Sequence, residues 1–251
     1  MNGKTNGATI IVESTGAEYH TLATWGLAIG NNNIIGNPVQ ETNYIEVMGR
    51  PGPPLDLSEA MTGRPIFKTR PFHMELGGIR DRYKWTSVIS DWRNKIEGRV
   101  VRVIMDDDPS YYYTGRAHII DFDRAQRLGT FALEIENCDA YKYCVGSSTE
   151  DIPWDLVDFE ETYFDYIGTI TVENSYQLTI PAGKDPVVPV INVTSITSET
   201  LKVKSNANNV THQLSVGRNR FPDYFVNGSA AVKLTFTGSG VLEVDYRGRS
   251  L

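Results

Sequence analysis

The run "GRVVRVIMDDDPSYYYTGRAHIIDFDRAQRLGTFALEIENC", Gly98 to Cys138, decides the fold class. "GRVVRVIM", "YYYTGRAHIIDFD" and "LGTFALEIENC" are rich in β-branched and aromatic residues and are bounded by turn formers, which reads as successive strands. Two connections are explicit. "DDDPS" (Asp106 to Ser110) joins the first pair and "FDRAQRLG" (Phe122 to Gly129) joins the second, using side chains that cap turns or tolerate unusual dihedrals. Upstream, "TWGLAI", a turn "GNNN", then "YIEVMG" and "RPIFKTRPFHMEL" continue the pattern, so the first part of the chain is expected to be an antiparallel β domain.

One segment breaks the strand period. In "TSVISDWRNKIEGR" the apolar residues Val88, Ile89, Trp92 and Ile96 share one helical face, and Asp91, Arg93, Asn94, Lys95 and Glu97 take the other. This predicts one amphipathic helix of about three turns lying on the sheet, anchored by Trp92, capped by Thr86 or Ser87 and ended by Gly98. After Cys144 the composition shifts. "VGSSTEDIPWDLVDFEETYFDYIG" is acidic, and short strand-like runs follow it: "TITVENS", "YQLTIPA", "PVVPVINVTS", "TLKVKSN", "HQLSVGRN", "AAVKLTFTGSG" and "VLEVDYRG". The expected organisation is an N-terminal β domain over residues 1–145 and a C-terminal β-sandwich over 146–251, with 146–168 as an acidic linker.

A chain of 251 residues can bury a sizeable core without staples. No apolar run approaches the roughly 18 residues of a membrane span, and the N-terminal run Ala8 to Val12 is too short for a signal-peptide core, so synthesis in the cytoplasm is expected. Without secretion the sequons at Asn192, Asn209 and Asn227 are set aside. Two cysteines, Cys138 and Cys144, match no zinc spacing and read as buried thiols. A net charge of -7 argues against nucleic-acid and membrane-surface partners, although it is unevenly spread. Arg64 to Arg102 holds ten Lys/Arg against four acids, while Glu150 to Asp165 holds seven acids and no base. Such asymmetry fits solvated faces or contacts between subunits.

Chemistry-bearing residues are sparse. The four histidines, His20, His73, His118 and His212, stand apart from one another and read as structural or surface groups. Asp106, Asp107 and Asp108, with Asp121 and Asp123, offer oxygen ligands for calcium, but "DDDPS" lacks an EF-hand loop and reads as a hairpin turn. Glu134 and Glu136, like Glu243 and Asp245, are same-strand neighbours and do not make a glycosidase pair. No nucleophile-elbow, P-loop or dinucleotide motif occurs. Enzyme activity therefore has no positive support, and no metal or cofactor is implied. The aromatics of "YYYTG" and "WDLVDFEETYFDY" could form a sugar platform, with sheet packing the preferred reading.

The Gly/Pro-dense stretch "YIEVMGRPGPPLDLSEAMTG", Tyr44 to Gly63, remains. Pro51, Pro53 and Pro54 withhold N–H donors and fix dihedrals, while Gly49 and Gly52 permit tight turns, which describes a stiff connector outside any central strand. Its part "IEVMGRPGPPLDL" resembles the Gly-Arg-x-Gly-x-x-Leu-Asp-Leu element of the siphophage distal tail protein (Dit) family. Further elements follow in that family's order: "GRPIFKTRPFHMEL", the Trp-containing helix "SDWRNKIEGR", "VIMDDDPSYYYTGRA", "ENCDAYKYC" and the ending "VDYRGRSL". The paired prolines after Gly52, the missing acidic residue between Arg50 and Gly52, and Cys144 are departures.

The resemblance implies an all-β chain with one helix and a protruding hairpin in its N-terminal domain, and a galectin-like or carbohydrate-module-like C-terminal sandwich. It implies a homo-hexameric ring at the distal end of a virion tail, assembled in the bacterial cytoplasm. That ring would join the tail tube to tail-tip, tail-associated and receptor-binding proteins, with no catalytic residues. Assembly candidates are Trp25, Gly49, Arg50, Gly52, Leu55, Asp56 and Gly63. The alternative is a carbohydrate-binding tail module that recognises host-surface glycans.

Overall fold

The computed structural model describes residues 6–49, 51–60, 65–124, 127–146, 148–149, 166–181, 187–224, 226, 230–247 and 249–251. The chain divides into two compact units, Met1–Lys142 with Leu251, and Tyr143–Ser250.

In the first unit the strands are β1 (Ala8–Val12), β2 (Ala17–His20), β3 (Ala28–Ile29), β4 (Ile34–Ile35), β5 (Gln40–Glu41), β6 (Tyr44–Ile45), β7 (Leu55–Asp56), β8 (Ile66–Phe67), β9 (Phe72–Ile79), β10 (Val100–Met105), β11 (Asp108–Arg124) and β12 (Leu128–Glu136). Two helices accompany them, α1 (Thr21–Trp25) and α2 (Arg82–Lys95). The Gly98–Cys138 run supplies the antiparallel centre β10-β11-β12, and the full order is β2-β1-β10-β11-β12-β9-β3. Asp106 and Asp107 alone span the first hairpin, whose closing pair is Met105 and Asp108. Alternation then fixes the buried face: Ala8, Ile10 and Val12 on β1, Val101, Val103 and Met105 on β10, Phe72, Met74 and Leu76 on β9, and Phe131, Leu133 and Ile135 on β12.

The helix covers that face with Trp85, Val88, Ile89 and Trp92, joined by its C-cap residue Ile96, all buried. It begins four residues earlier than Thr86, with Asp81 as the N-cap. Trp85 extends the apolar stripe one turn towards the N-terminus, and its burial against the sheet outweighs the capping preference of Thr86 and Ser87. Gly98, at φ +69, follows the helix and donates to the Ala117 carbonyl at 2.8 Å.

A second difference concerns "GNNN". It is not a turn between two strands that pair with each other: β3 and β4 both pair with β9, and the four residues between them loop out along that edge. Asn33 ties the excursion down: its side chain donates to the Gly30 carbonyl at 2.8 Å and accepts from the Glu75 N–H at 3.0 Å. The protruding hairpin lies instead within residues 40–67, where β5 pairs β8 and β6 pairs β7.

After β13 (Lys142–Cys144), the second unit contains β14 (Thr169–Ile180), β15 (Val190–Ile196), β16 (Lys202–Ser205), β17 (Thr211–Gln213), β18 (Gly217–Arg220), β19 (Val232–Asp245) and β20 (Arg249–Ser250). Its sheet runs β17-β16-β19-β15-β18, with β14 also on β19. The runs "TITVENS" and "YQLTIPA" form one strand, as do "AAVKLTFTGSG" and "VLEVDYRG". Asn174 at φ +67 and Gly238 at φ +120 sit opposite each other, so the turn residues bend a continuous ladder instead of ending it. At Gly238 a Cβ would stand 2.3 Å from the Thr200 carbonyl oxygen, which leaves glycine as the residue the bend accepts.

Trp92 is fully buried between Trp25, at a ring-centroid distance of 4.5 Å, and Phe131, at 5.1 Å. Trp92→Ala is expected to destabilise the first unit by about 3–5 kcal/mol, read as a shift of its denaturant midpoint in near-UV circular dichroism.

Candidate assembly surface

Beyond β4, which pairs with β9, residues 36–49 and 51–60 leave the sheet, and residues 65–67 lead back to it along a thin ladder. At its root the Gly36 N–H donates to Pro71, Val39 to Thr69 and Lys68 to Val39, all through backbone carbonyls. Farther out, Gln40 pairs with Phe67 and Glu41 with Ile66, and Lys68 meets Glu41 at 3.2 Å. Beyond that, Tyr44 pairs with Asp56 and Ile45 with Leu55. Ser58 then steadies the ladder: its hydroxyl accepts from the Asn43 N–H at 2.9 Å and its N–H donates to the Asp56 carboxylate at 2.9 Å. Hydrogen bonds from the Ser58 side chain, then its backbone, hold the exposed Asp56 carboxyl below the usual range.

This arm carries a surplus of apolar surface. Ile34, Ile35, Val39, Tyr44, Ile45, Val47, Met48, Leu55 and Ile66 are all exposed, and none belongs to either core cluster. They make up nine of the eighteen exposed large apolar side chains among the described residues, gathered in a short stretch of chain. Met48 is wholly exposed, at 101% of its reference area. Two-stranded ribbons of this length do not hold themselves together by apolar burial. Exposed large apolar side chains gathered on such a ribbon are of the kind that another polypeptide covers.

The sequence-derived candidates separate on this frame. Gly49 (φ +81), Gly52 (φ +121), Leu55 and Asp56 lie on the arm, and both glycines face open space. Arg50 and Gly63 lie outside the described residues. Trp25 is different. It is 4% exposed and packs on Trp92 and Tyr19, and its indole N–H donates to Asp91 at 2.8 Å. Its ring packs within the core of its own chain. Tyr44, Ile45, Val47 and Met48 are not among the sequence-derived candidates, although they lie in the same Gly/Pro-dense stretch; the signal for them is a run of large apolar residues beside residues that bar it from a central sheet.

Other candidate groups are locally occupied. His20 meets Asp106 at 3.2 Å, His212 meets Asp223 at 2.8 Å and stacks on Phe221, and His118 lies 3.2 Å from both Glu97 and Glu136. Lys142 meets Asp108 at 2.7 Å; burial alone would lower the ammonium pKa, but the Asp108 hydrogen bond and charge keep it above its ordinary value. Among the described residues no group of three or more His, Cys, Asp or Glu is placed to hold a metal ion. Tyr111, Tyr112 and Tyr113 are buried, so they are packing residues; of "WDLVDFEETYFDY", residues 154–165 lie outside the described residues. No helix of the described residues is long and apolar enough to cross a membrane.

Within the basic segment much of the charge is already matched. Lys68, Lys84, Lys95 and Arg102 pair with Glu41, Asp81, Asp91 and Glu13, whereas Arg70, Arg80, Arg82, Arg93 and Arg99 form no ion pair with described residues. Hydrogen bonds from Lys95, then Trp25, hold the Asp91 carboxyl below the usual range.

No protein-family profile matches the chain, and no curated protein matches it. Among solved structures it is similar to the SPP1 Dit (gp 19.1) protein, described as a paradigm of hub adsorption apparatus in Gram-positive infecting phages. That match is 11% identical, covers 96% of this chain and 99% of that chain, and has a TM-score of 0.47. It is also similar to a chain of the phage P2 baseplate in its activated conformation with Ca, at 5% identity, covering 95% and 97%, with a TM-score of 0.46. A chain of the phage p2 baseplate in its activated conformation with Sr matches at 7% identity, covering 97% and 98%, with a TM-score of 0.41.

Cys138 and Cys144 are buried free thiols. Burial pushes the Cys138 thiol from 9.0 up to about 12 and also raises Cys144. Because the fold favours the neutral Cys138 thiol, its contribution to stability is complete below pH 9.0 and declines as pH climbs towards about 12. Iodoacetamide at pH 8 is expected to leave both thiols of the native chain unmodified and to alkylate both in denaturant, counted by intact mass.

Proposed function

We propose that this protein is a structural component of the distal end of a phage tail. It forms a homo-hexameric ring that joins the tail tube to the tail tip or baseplate and to receptor-binding proteins. The observation that carries the reading is the arm: a hydrogen-bonded ladder whose large apolar side chains are exposed in the single chain. Burying one such side chain fully is worth about 1.5–3 kcal/mol, so even partial cover by a neighbouring copy would supply a substantial association energy. The ordered sequence elements from "IEVMGRPGPPLDL" to "VDYRGRSL" support the assignment to a tail. In this reading Gly49, Gly52, Leu55 and Asp56 shape the arm, the role is non-enzymatic, and assembly takes place in the host cytoplasm.

Static light scattering coupled to size exclusion tests the ring, with an expected mass near six times the 28.0 kDa chain. The triple variant Ile45→Ser, Val47→Ser, Met48→Ser is expected to be a folded monomer whose far-UV circular dichroism matches that of the wild-type chain, because these side chains belong to neither core. A wild-type monomer at every concentration, or an intact oligomer in the triple variant, would remove the arm from assembly.

A further inference from the structure

Beside the root of the arm, a surface cavity of about 560 Å³ opens between Ile35, Pro38, Phe67, Arg70, Tyr113 and Leu251. Five of these side chains are apolar or aromatic, Asn37 on the same wall adds an amide, and Arg70 is the cation. Arg70 is only 7% exposed, and its guanidinium is held in place from within the unit. Its Nε–H donates to the Ala140 carbonyl at 2.8 Å, an Nη2–H donates to the same oxygen, and the group lies 5.4 Å from the centre of the Tyr113 ring. No described carboxylate forms an ion pair with it. Charges removed this far from water are ordinarily paired, and a carbonyl and a ring face compensate a full charge only in part. The cavity therefore suits a carboxylate carried on an apolar stretch of polypeptide, because a guanidinium hydrogen-bonds carboxylate oxygens in a fixed planar geometry.

The chain itself exposes such a stretch. Glu46 forms no ion pair or hydrogen bond with described residues and stands between Ile45, 46% exposed, and Val47, 50% exposed, with Met48 following. Within one chain Glu46 borders a different recess, formed with Val47, Pro53 and Leu55, so it does not line the Arg70 cavity. We propose that the Arg70 cavity receives the Ile45–Met48 tip of the arm of a second copy of this chain, with Glu46 as the counter-ion of Arg70. The assignment rests on the ring reading and specifies which surfaces meet. Tip and cavity are different patches, so the contact is head-to-tail: each copy offers one tip and one cavity, and the contact repeats around a ring instead of closing in a pair.

The decisive experiment places a photo-crosslinking amino acid at Met48 in the full chain, mixes isotopically labelled and unlabelled copies, and maps intermolecular adducts by mass spectrometry. Adducts to residues 35–38, 67–70 or 251 of the other copy are expected. In parallel, a fluorescent peptide of residues 40–57 is titrated against the triple arm variant, whose cavities have no competing native tip. Binding is expected to weaken about tenfold or more when the peptide carries Glu46→Lys. It should also weaken when the receiving chain carries Asn37→Trp, a substitution at an exposed position on the cavity wall that leaves Arg70 and its hydrogen bonds in place. An oligomer with adducts elsewhere, or a peptide indifferent to both substitutions, overturns the cavity assignment and leaves the ring standing. A wild-type chain that is monomeric at all concentrations and gives no intermolecular adduct overturns both.

Discussion

Trp92, fully buried, brings together three parts of the chain that are remote in sequence. Its ring meets Trp25 at the end of α1 and Phe131 on β12, so two helices and the centre of the sheet converge on one indole. Asp91, the preceding residue, accepts hydrogen bonds from the Trp25 indole at 2.8 Å and from Lys95 at 2.7 Å, which seats the rim of the same contact. The Trp92 N–H has no hydrogen-bond partner among the described residues, a cost that the dispersion and apolar burial of a large ring outweigh. The contact fixes α2 across the buried face, while at one side of the sheet β9 takes only the short strands β3 and β4, and the arm follows β4.

The arm follows from what β9 cannot absorb. Its partners β3 and β4 occupy the edge only in short pieces, and the chain between β4 and β8 contains prolines that cannot donate to a ladder. Residues such as Ile45, Val47 and Leu55 would normally be drawn into a core. Here the backbone chemistry around them forbids a longer sheet, and each core is completed by other residues. Exposed apolar groups on a well-hydrogen-bonded ribbon are the consequence, and a neighbouring copy is the cover proposed for them.

The second unit meets its own constraint differently. Its long strand β19 pairs with β14 along one side and with β16 and β15 on the other. Such a strand must change direction without losing hydrogen bonds, and it does so at Gly238 opposite Asn174. The same two residues, seen in sequence, look like turns.

Sequence alone determined the all-β class, the central hairpins and the apolar face of α2, because period-2 and period-3.6 patterns record which side of an element meets the core. It also marked the Gly/Pro stretch as stiff and unfit for a central strand. Only the tertiary structure decided that the helix starts at Arg82, that "GNNN" is a looped-out edge, and that Asn174 and Gly238 bend strands without ending them. In each of these the local residue preference is worth about a kilocalorie per mole or less, and burial or ladder continuity exceeds it. Trp25 and Arg70 show the same limit at the level of sites. One is a tryptophan drawn into its own core, the other a cation buried without a carboxylate, and neither fact is written in the neighbouring residues, because both depend on contacts with distant parts of the chain.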